Sequence, residues 1–314
     1  DRLRSPGVID SPLSREAAFL ANNVLFAVFA FVVLLGTVFP LIVEALQNRQ
    51  IAVGAPFFDR LSTPIGLALL TLMAIAPVLP WRKATTETLR DRLFWPAWCG
   101  LGALILSLAL GAYGLAPLLT FALGGVSAGA ALRQVFLATR RQGWRGLVGR
   151  ANGGMIVHLG VILIAVALGA SNSFSKSQEL SLVQNVEAKF AGHTFELRDV
   201  IEVRDDRSIS VKALVLVDGR KIYAPAITKF TRIGMNVGIP SVRTSLTTDI
   251  YLTLEPPVRQ DANEARIKVF IKPMITWLWI GTVLMAVGTA LAAFPGRRRK
   301  PTEPTSAPVE VGRS

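Results

Sequence analysis

Six long apolar segments restrict this chain to a fold that crosses a membrane. A helix needs about 20 apolar residues to span the roughly 30 Å hydrocarbon core of a bilayer. Each segment approaches that length, and 51% of the 314 residues are hydrophobic. We therefore predict a polytopic α-helical membrane protein with about six transmembrane helices. The predicted spans cover residues 23–46, 62–81, 95–112, 114–137, 152–171 and 273–294.

The net charge of +13 is concentrated at the ends of these spans. WRKATTETLRDR, ATRRQGWRGLVGR and GRRRK each follow an apolar segment. Basic loops stay on the cytoplasmic side, so we interpret the charge as a topology signal of an inner-membrane protein rather than as a nucleic-acid interface. Residues 1–22 and the Pro- and Thr-rich tail 295–314 are then predicted to be cytoplasmic, and the tail to be disordered.

Residues 172–272 have a different pattern and fall on the opposite, extracytoplasmic side. ELSLV, HTFELRDVIEV, ISVKALVLV, KIYAPAITKF and DIYLTLE alternate apolar with polar residues and are rich in β-branched side chains. That period predicts β-strands. Asp218-Gly219 stands between two such runs and is typical of a type I′ hairpin turn. We expect a small extracytoplasmic antiparallel β domain, inserted before the last helix.

One of the only two histidines in the chain, His158, lies inside the fifth apolar span. An ionisable side chain is costly in hydrocarbon and usually faces a bundle interior, where it serves a partner or ligand. A helix would place Gly154, Met155 and Ile162 on the same face, together with Val161 and Ala165. Small and apolar residues of this kind make a surface against which a flat apolar ring can pack.

The residues themselves leave several roles for His158 open. It can be a structural histidine that is hydrogen-bonded to a neighbouring helix, part of a proton relay with Glu44, or a haem ligand. Zinc is disfavoured because the sequence offers no cluster of histidines, cysteines and carboxylates, and the single Cys99 excludes a CxxC or CxxCH motif. The other histidine, His193, is interpreted as an ordinary strand residue.

Four motifs in order resemble a known family. They are SREAAFLANN, LLGTVFPLI with IAVGAPFFDR, GGMIVHLGV and IKPMITWLWIG, within residues 14–296. Together they resemble the C-terminal half of CcmF, the haem lyase subunit of System I cytochrome c biogenesis. The resemblance implies a b-type haem with His158 as an axial ligand. It also implies that haem is reduced, with electrons from quinol, and transferred from the periplasmic chaperone CcmE to the CxxCH thiols of apocytochrome c, in company with CcmH- and CcmI-type subunits.

The sequence departs from the full family in one respect. The tryptophan-rich WWD signature and the other haem-ligating histidines, which belong to the N-terminal half, are absent. We therefore expect the chain to be part of a haem lyase that needs the WWD-bearing N-terminal half, as a split gene product or a fragment, so its status as an enzyme by itself stays open. The alternative is a non-catalytic scaffold of the maturation complex with a structural His158.

Overall fold

The computed structural model describes residues 14–79, 86–231, 234, 236–256 and 263–294. These residues form two compact units. One contains the chain up to Gly169 and from Ile280 onward, and the other spans Ala170–Trp279. The predictions for residues 1–13 and for the tail 295–314 lie outside the described residues. Within them, the predicted fold class is confirmed: a helical, multi-pass membrane unit is combined with a β-rich region before the last helix.

Six helices in the described part are long and apolar enough to cross a membrane. They are α1 Arg15–Gln47, α2 Ala55–Ile75, α3 Thr86–Ala109, α4 Leu115–Gln142, α5 Arg150–Phe174 and α6 Thr276–Ala293. The helices α1 and α2 begin earlier than hydropathy predicts. Ser14 caps α1, since its side chain accepts a hydrogen bond from the backbone N–H of Ala17. The first turn of α1 contains Arg15 and Glu16, and charged residues of this kind lower the hydropathy of an apolar window.

Glycines bring α5 and α6 into backbone contact. A Cβ atom at Gly160 would lie 2.6 Å from the carbonyl oxygen of Gly281, and one at Gly281 would lie 2.8 Å from the carbonyl oxygen of Gly160. The second pair has the same geometry, because a Cβ at Gly288 would lie 2.9 Å from the Gly153 oxygen. On each helix the two glycines are seven positions apart in the sequence. This small-residue contact replaces the hydrophobic driving force that is missing in lipid.

The helices α3 and α4 are also in close backbone contact at glycines. A Cβ at Gly125 would lie 2.7 Å from the carbonyl oxygen of Cys99, and one at Gly129 would lie 2.9 Å from the Cα of Pro96. Gly100 would meet the carbonyl oxygen of Ala122 at 2.8 Å. Close packing between helices in this unit therefore rests on positions where no side chain intervenes.

The β unit contains two antiparallel sheets. Its strands are β1 Lys176–Val183, β2 Glu187–Phe190, β3 His193–Asp205, β4 Ser208–Val217, β5 Lys221–Tyr223, β6 Ala226–Phe230, β7 Asn236–Ile239, β8 Ser241–Arg243, β9 Thr248–Leu254 and β10 Glu264–Pro273. One sheet has the order β1-β10-β9-β8, and the other has the order β2-β3-β4-β6-β7, with β5 also paired to β4. Alternate side chains from both sheets form one core, which includes Leu182, Phe195, Val215, Leu252 and Ile267.

The strand predictions differ from the structure in several places, and the short strands β2, β7 and β8 were not predicted. The run KIYAPAITKF divides into β5 and β6, because Pro225 lies between them and cannot donate to a ladder. The strand β10 was not predicted, although Ile267, Val269 and Ile271 alternate with polar residues as a half-buried strand should. The turn at Asp218-Gly219 has positive φ angles of 53° and 63°, and the N–H of Arg220 donates to the carbonyl of Val217, as type I′ geometry requires.

Asp218 joins the two sheets through its carboxylate. Arg243 of β8 donates to Oδ2, the ring Nδ1 of His193 lies 2.9 Å from the same oxygen, and the N–H of Thr194 donates to Oδ1 at 3.1 Å. Partial burial acts to raise the pKa of Asp218, but the hydrogen bonds from Arg243, His193 and Thr194 outweigh it and lower the pKa from 3.8 to about 2. Asp218 is therefore an anion at neutral pH.

We expect Gly160→Ala to destabilise the helical unit and Gly154→Ala not to. The new methyl group at position 160 meets the backbone of α6, at a cost of about 1–3 kcal/mol, whereas a Cβ at Gly154 has no atom within 4 Å. Both changes gain the same intrinsic helix propensity. Thermal unfolding of the purified protein in detergent measures the difference, and equal midpoints for the two variants would contradict the assigned contact.

We expect Asp218→Asn to destabilise the β unit in a pH-dependent manner. A carboxyl whose folded pKa is depressed stabilises the fold above its unfolded pKa, and this contribution is lost as the pH falls towards the folded value. A shift from 3.8 to about 2 corresponds to about 2 kcal/mol, an upper bound for a side chain that is 23% exposed. Circular dichroism melts should differ most near pH 6 and converge towards pH 2. A gap that is constant with pH would exclude the charge as its cause.

Candidate functional site

His158 lies half-buried within α5, and one of its ring nitrogens has no partner. The atom Nδ1 is buried, and no hydrogen bond to it exists among the described residues. A neutral imidazole carries one N–H donor and one acceptor nitrogen, and a buried polar atom without a partner is costly. The hydrogen bond to a neighbouring helix that a purely structural histidine would make is therefore not seen at Nδ1 in this part of the chain.

Two neighbouring helices occupy two sides of α5. On one side lies α4, where a Cβ at Gly124 would be 2.8 Å from the Cγ2 of Val166 and 3.9 Å from that of Ile162. On another side lies α6, which contacts the backbone at Gly153 and Gly160. At about 100° per residue, the ring of His158 projects between these two contacts. The positions that flank the histidine in sequence thus hold it at a fixed rotation.

The strip of α5 that includes His158 has open space. A Cβ at Gly154, one turn before the histidine, would have no neighbour within 4 Å. Further along the helix, the side chain of Leu168 is 48% exposed. Gly154 and Ala165 lie within about 40° of His158 around the helix axis. The helix surface is therefore open at Gly154, next to the histidine.

The predicted packing residues have different positions. Gly154 borders the open space, and Met155 is half-buried. Ile162 is only 4% exposed and lies next to α4, about 40° around the helix axis from His158. Glu44 lies at the exposed end of α1, where it accepts a hydrogen bond from Gln50 at 3.0 Å. Among the described residues, no hydrogen bond joins Glu44 to His158.

These residues fit a haem better than a bare metal ion. The described residues contain no group of three or more histidine, cysteine or carboxylate side chains that could hold an ion. A haem iron needs only axial ligands from the protein, because the porphyrin supplies the other four donors. A half-buried imidazole with an unpartnered nitrogen, next to a glycine-bordered apolar surface, meets that requirement for one ligand.

His193 belongs to the β unit and has surroundings that the sequence did not reveal. It opens β3, and its Nδ1 faces the carboxylate of Asp218 at 2.9 Å. The two residues are 25 positions apart in the chain. The hairpin that begins at Asp218 was predicted, but the alignment of its turn with the start of β3 depends on strand register, which sequence alone does not fix.

Comparison with known proteins identifies relatives over almost the entire chain. No protein-family model matches it. The cytochrome c-type biogenesis protein CcmF of Pseudomonas fluorescens is 30% identical over 303 residues, which are 91% of this chain and 44% of that protein. The cytochrome c-type biogenesis protein ccl1 of Rhodobacter capsulatus is 31% identical over 307 residues, 92% of this chain and 45% of that protein.

A solved structure gives the same result. The structure of the cytochrome c haem lyase CcmF superposes with a TM-score of 0.73 at 26% identity, over 91% of this chain and 46% of the solved one. The chain thus spans about half the length of the relatives it matches, and the match falls on their C-terminal half. The resemblance inferred from the four motifs is confirmed: this chain is a membrane protein homologous to the C-terminal half of the CcmF and CycK cytochrome c-type biogenesis proteins.

Proposed function

We propose that this chain is the C-terminal part of a cytochrome c haem lyase and that it holds a b-type haem through His158. The observation that carries the proposal is the unpartnered, buried Nδ1 of a histidine on an otherwise apolar helix. Such residues in a membrane generally serve a ligand. The similarity to CcmF, which extends over 91% of the chain, supports the same function.

Each residue of the proposed site has a limited task. His158 would hold the haem iron, and the α6 contacts at Gly153 and Gly160 fix the rotation of α5 that orients this side chain. Gly154 leaves space for the edge of the ring. The apolar surroundings exclude water, which stabilises the neutral imidazole that ligation requires. When bound, the haem supplies an iron centre that can accept and pass on one electron.

The proposed reaction needs further components. A second axial ligand and the WWD platform for the incoming haem would come from the N-terminal half of the lyase. The chaperone CcmE would deliver haem, CcmH- and CcmI-type subunits would present apocytochrome c, and quinol would supply electrons. The basic loops support an inner-membrane orientation with the β unit in the periplasm, on the side where the CxxCH thiols are modified. Thioether formation uses substrate thiols, so the main tasks of the protein would be to position the haem and the apocytochrome and to reduce the haem iron.

We expect His158→Ala to remove the haem signal. Wild-type protein, purified in detergent after co-expression with its N-terminal half, should show a low-spin b-type absorption spectrum. The variant should lose it or convert it to high-spin, because one axial ligand is missing. Identical spectra would refute the ligand assignment. If neither protein carries haem while the two halves stay assembled, the scaffold function with a structural His158 takes its place.

We expect Gly154→Leu to lower the haem content while the ligand itself is retained. The leucine fills the open space beside His158, where a glycine now stands. Gly102→Leu on α3 is the matched control, since a Cβ at Gly102 also has no atom within 4 Å. Haem per polypeptide, from a pyridine haemochrome assay, should fall severalfold in the first variant alone. Equal haem content in both variants would exclude this strip as the ring-binding surface.

A further inference from the structure

The second histidine has the arrangement that proteins give to a ligating imidazole. His193 Nδ1 lies 2.9 Å from Oδ2 of Asp218. A carboxylate on one ring nitrogen fixes the tautomer and orientation and raises the basicity of the other nitrogen, as in many histidine-metal sites. Asp218 is suited to this role because Arg243 and the Thr194 N–H also donate to its carboxylate and hold it in place.

The other ring nitrogen, Nε2, faces solvent. It makes no hydrogen bond within the described part of the chain, and it is not among the buried atoms that lack a partner there. The side chain of His193 is 26% exposed. Because the carboxylate of Asp218 can only accept at Nδ1, Nε2 is the ring nitrogen that remains available to a ligand.

The turn that precedes His193 is open on its outer side. Ala191 and Gly192 form the turn before it, with φ angles of 47° and 85°, and a Cβ at Gly192 would have no neighbour within 4 Å. Phe190 pairs directly with His193 in the ladder, so the phenyl and imidazole rings project to the same side of the sheet. The Phe190 side chain packs against the core of the β unit, so the open space next to His193 lies at the glycine turn.

The number of donors restricts what the ligand is. No group of three or more histidine, cysteine or carboxylate side chains suited to a metal ion occurs among the described residues, the neighbourhood of His193 included. One imidazole suffices only for a metal whose other positions are already filled. An iron porphyrin meets this condition. Its two carboxylates would also suit a basic surrounding, and Lys221 of β5 pairs with Val217, the residue before Asp218.

We propose that His193 is a second axial-ligand site, separate from His158, for the iron of a porphyrin bound at the surface of the β unit. The choice of an iron porphyrin rests in part on the proposed function, because a haem-handling protein would meet this ligand. Asp218 acts as the positioning residue, and Arg243 holds Asp218 from the other sheet. The site is monodentate and exposed, which suits transient rather than permanent binding.

Chemical footprinting tests this site directly, because the chain has only two histidines and they fall in different peptides. Diethyl pyrocarbonate modifies accessible imidazole nitrogens, and mass spectrometry locates the product. The full chain in detergent is treated with the reagent in the presence of ferric protoporphyrin IX or of metal-free protoporphyrin IX. We expect ferric porphyrin to protect His193 and the metal-free ring, which has the same carboxylates, to leave it reactive.

The variant Asp218→Asn tests whether porphyrin binding at His193 depends on the carboxylate of Asp218. Asparagine tolerates the positive φ of this position, but it lacks the charge that polarises the imidazole. Loss of an outer-shell partner typically weakens a metal site about 10–100-fold, so half-protection should need at least about tenfold more ferric porphyrin. Equal protection in wild type and variant would reduce His193 to an adventitious ligand and overturn the proposal.

The remaining outcomes also test the proposal and distinguish it from the proposed site at His158. If neither porphyrin protects His193, or if both protect it equally, an iron–His193 bond is excluded and the proposal is overturned. If His193 fails this test while the absorption spectrum still depends on His158, only the second site is lost. If His193 is protected and the His158 spectrum fails, the second site stands and the proposed b-haem site does not.

Discussion

The contact between the backbones of α5 and α6 determines the geometry of the proposed membrane site. Gly153 and Gly160 meet Gly288 and Gly281 at distances that admit no side chain, so the rotation of α5 is fixed on one side. His158 lies between the two contact points in sequence and is thereby turned away from α6. In lipid, where burial of apolar side chains contributes little to helix association, this close approach supplies the packing energy that orients a ligand.

The two histidines illustrate two ways of presenting an imidazole. His158 has a buried nitrogen without a partner among the described residues, and its orientation comes from helix packing. His193 has a carboxylate partner that is itself held by Arg243 and Thr194, and its orientation comes from hydrogen bonds. The first arrangement excludes water and favours a neutral, stable ligand. The second tolerates water and leaves a nitrogen exposed for exchange.

Much of the fold was predictable because its signals are local. Apolar length identified six helices, and period-two alternation with the Asp218-Gly219 turn identified the β region. The role of single glycines was not predictable. Gly153 and Gly154 are neighbours in sequence, yet one contacts α6 and the other borders open space. That distinction depends on helix rotation within the bundle. The partnership of His193 with Asp218 likewise depends on strand register between distant parts of the chain.

The β unit enters and leaves through helices that are packed together. The strand β1 follows α5, β10 precedes α6, and the two strands pair from Lys176 with Ile271 onward. If the β unit unfolds while α5 and α6 remain associated, its chain stays closed into a loop, as a cross-link would hold it. For a loop of about 100 residues, a permanent closure of this kind lowers the entropy of the unfolded chain by an equivalent of about 4–5 kcal/mol. The association of α5 and α6 therefore acts as a non-covalent cross-link. It would lower the entropy of the unfolded β unit in the way that a disulfide does in many secreted domains.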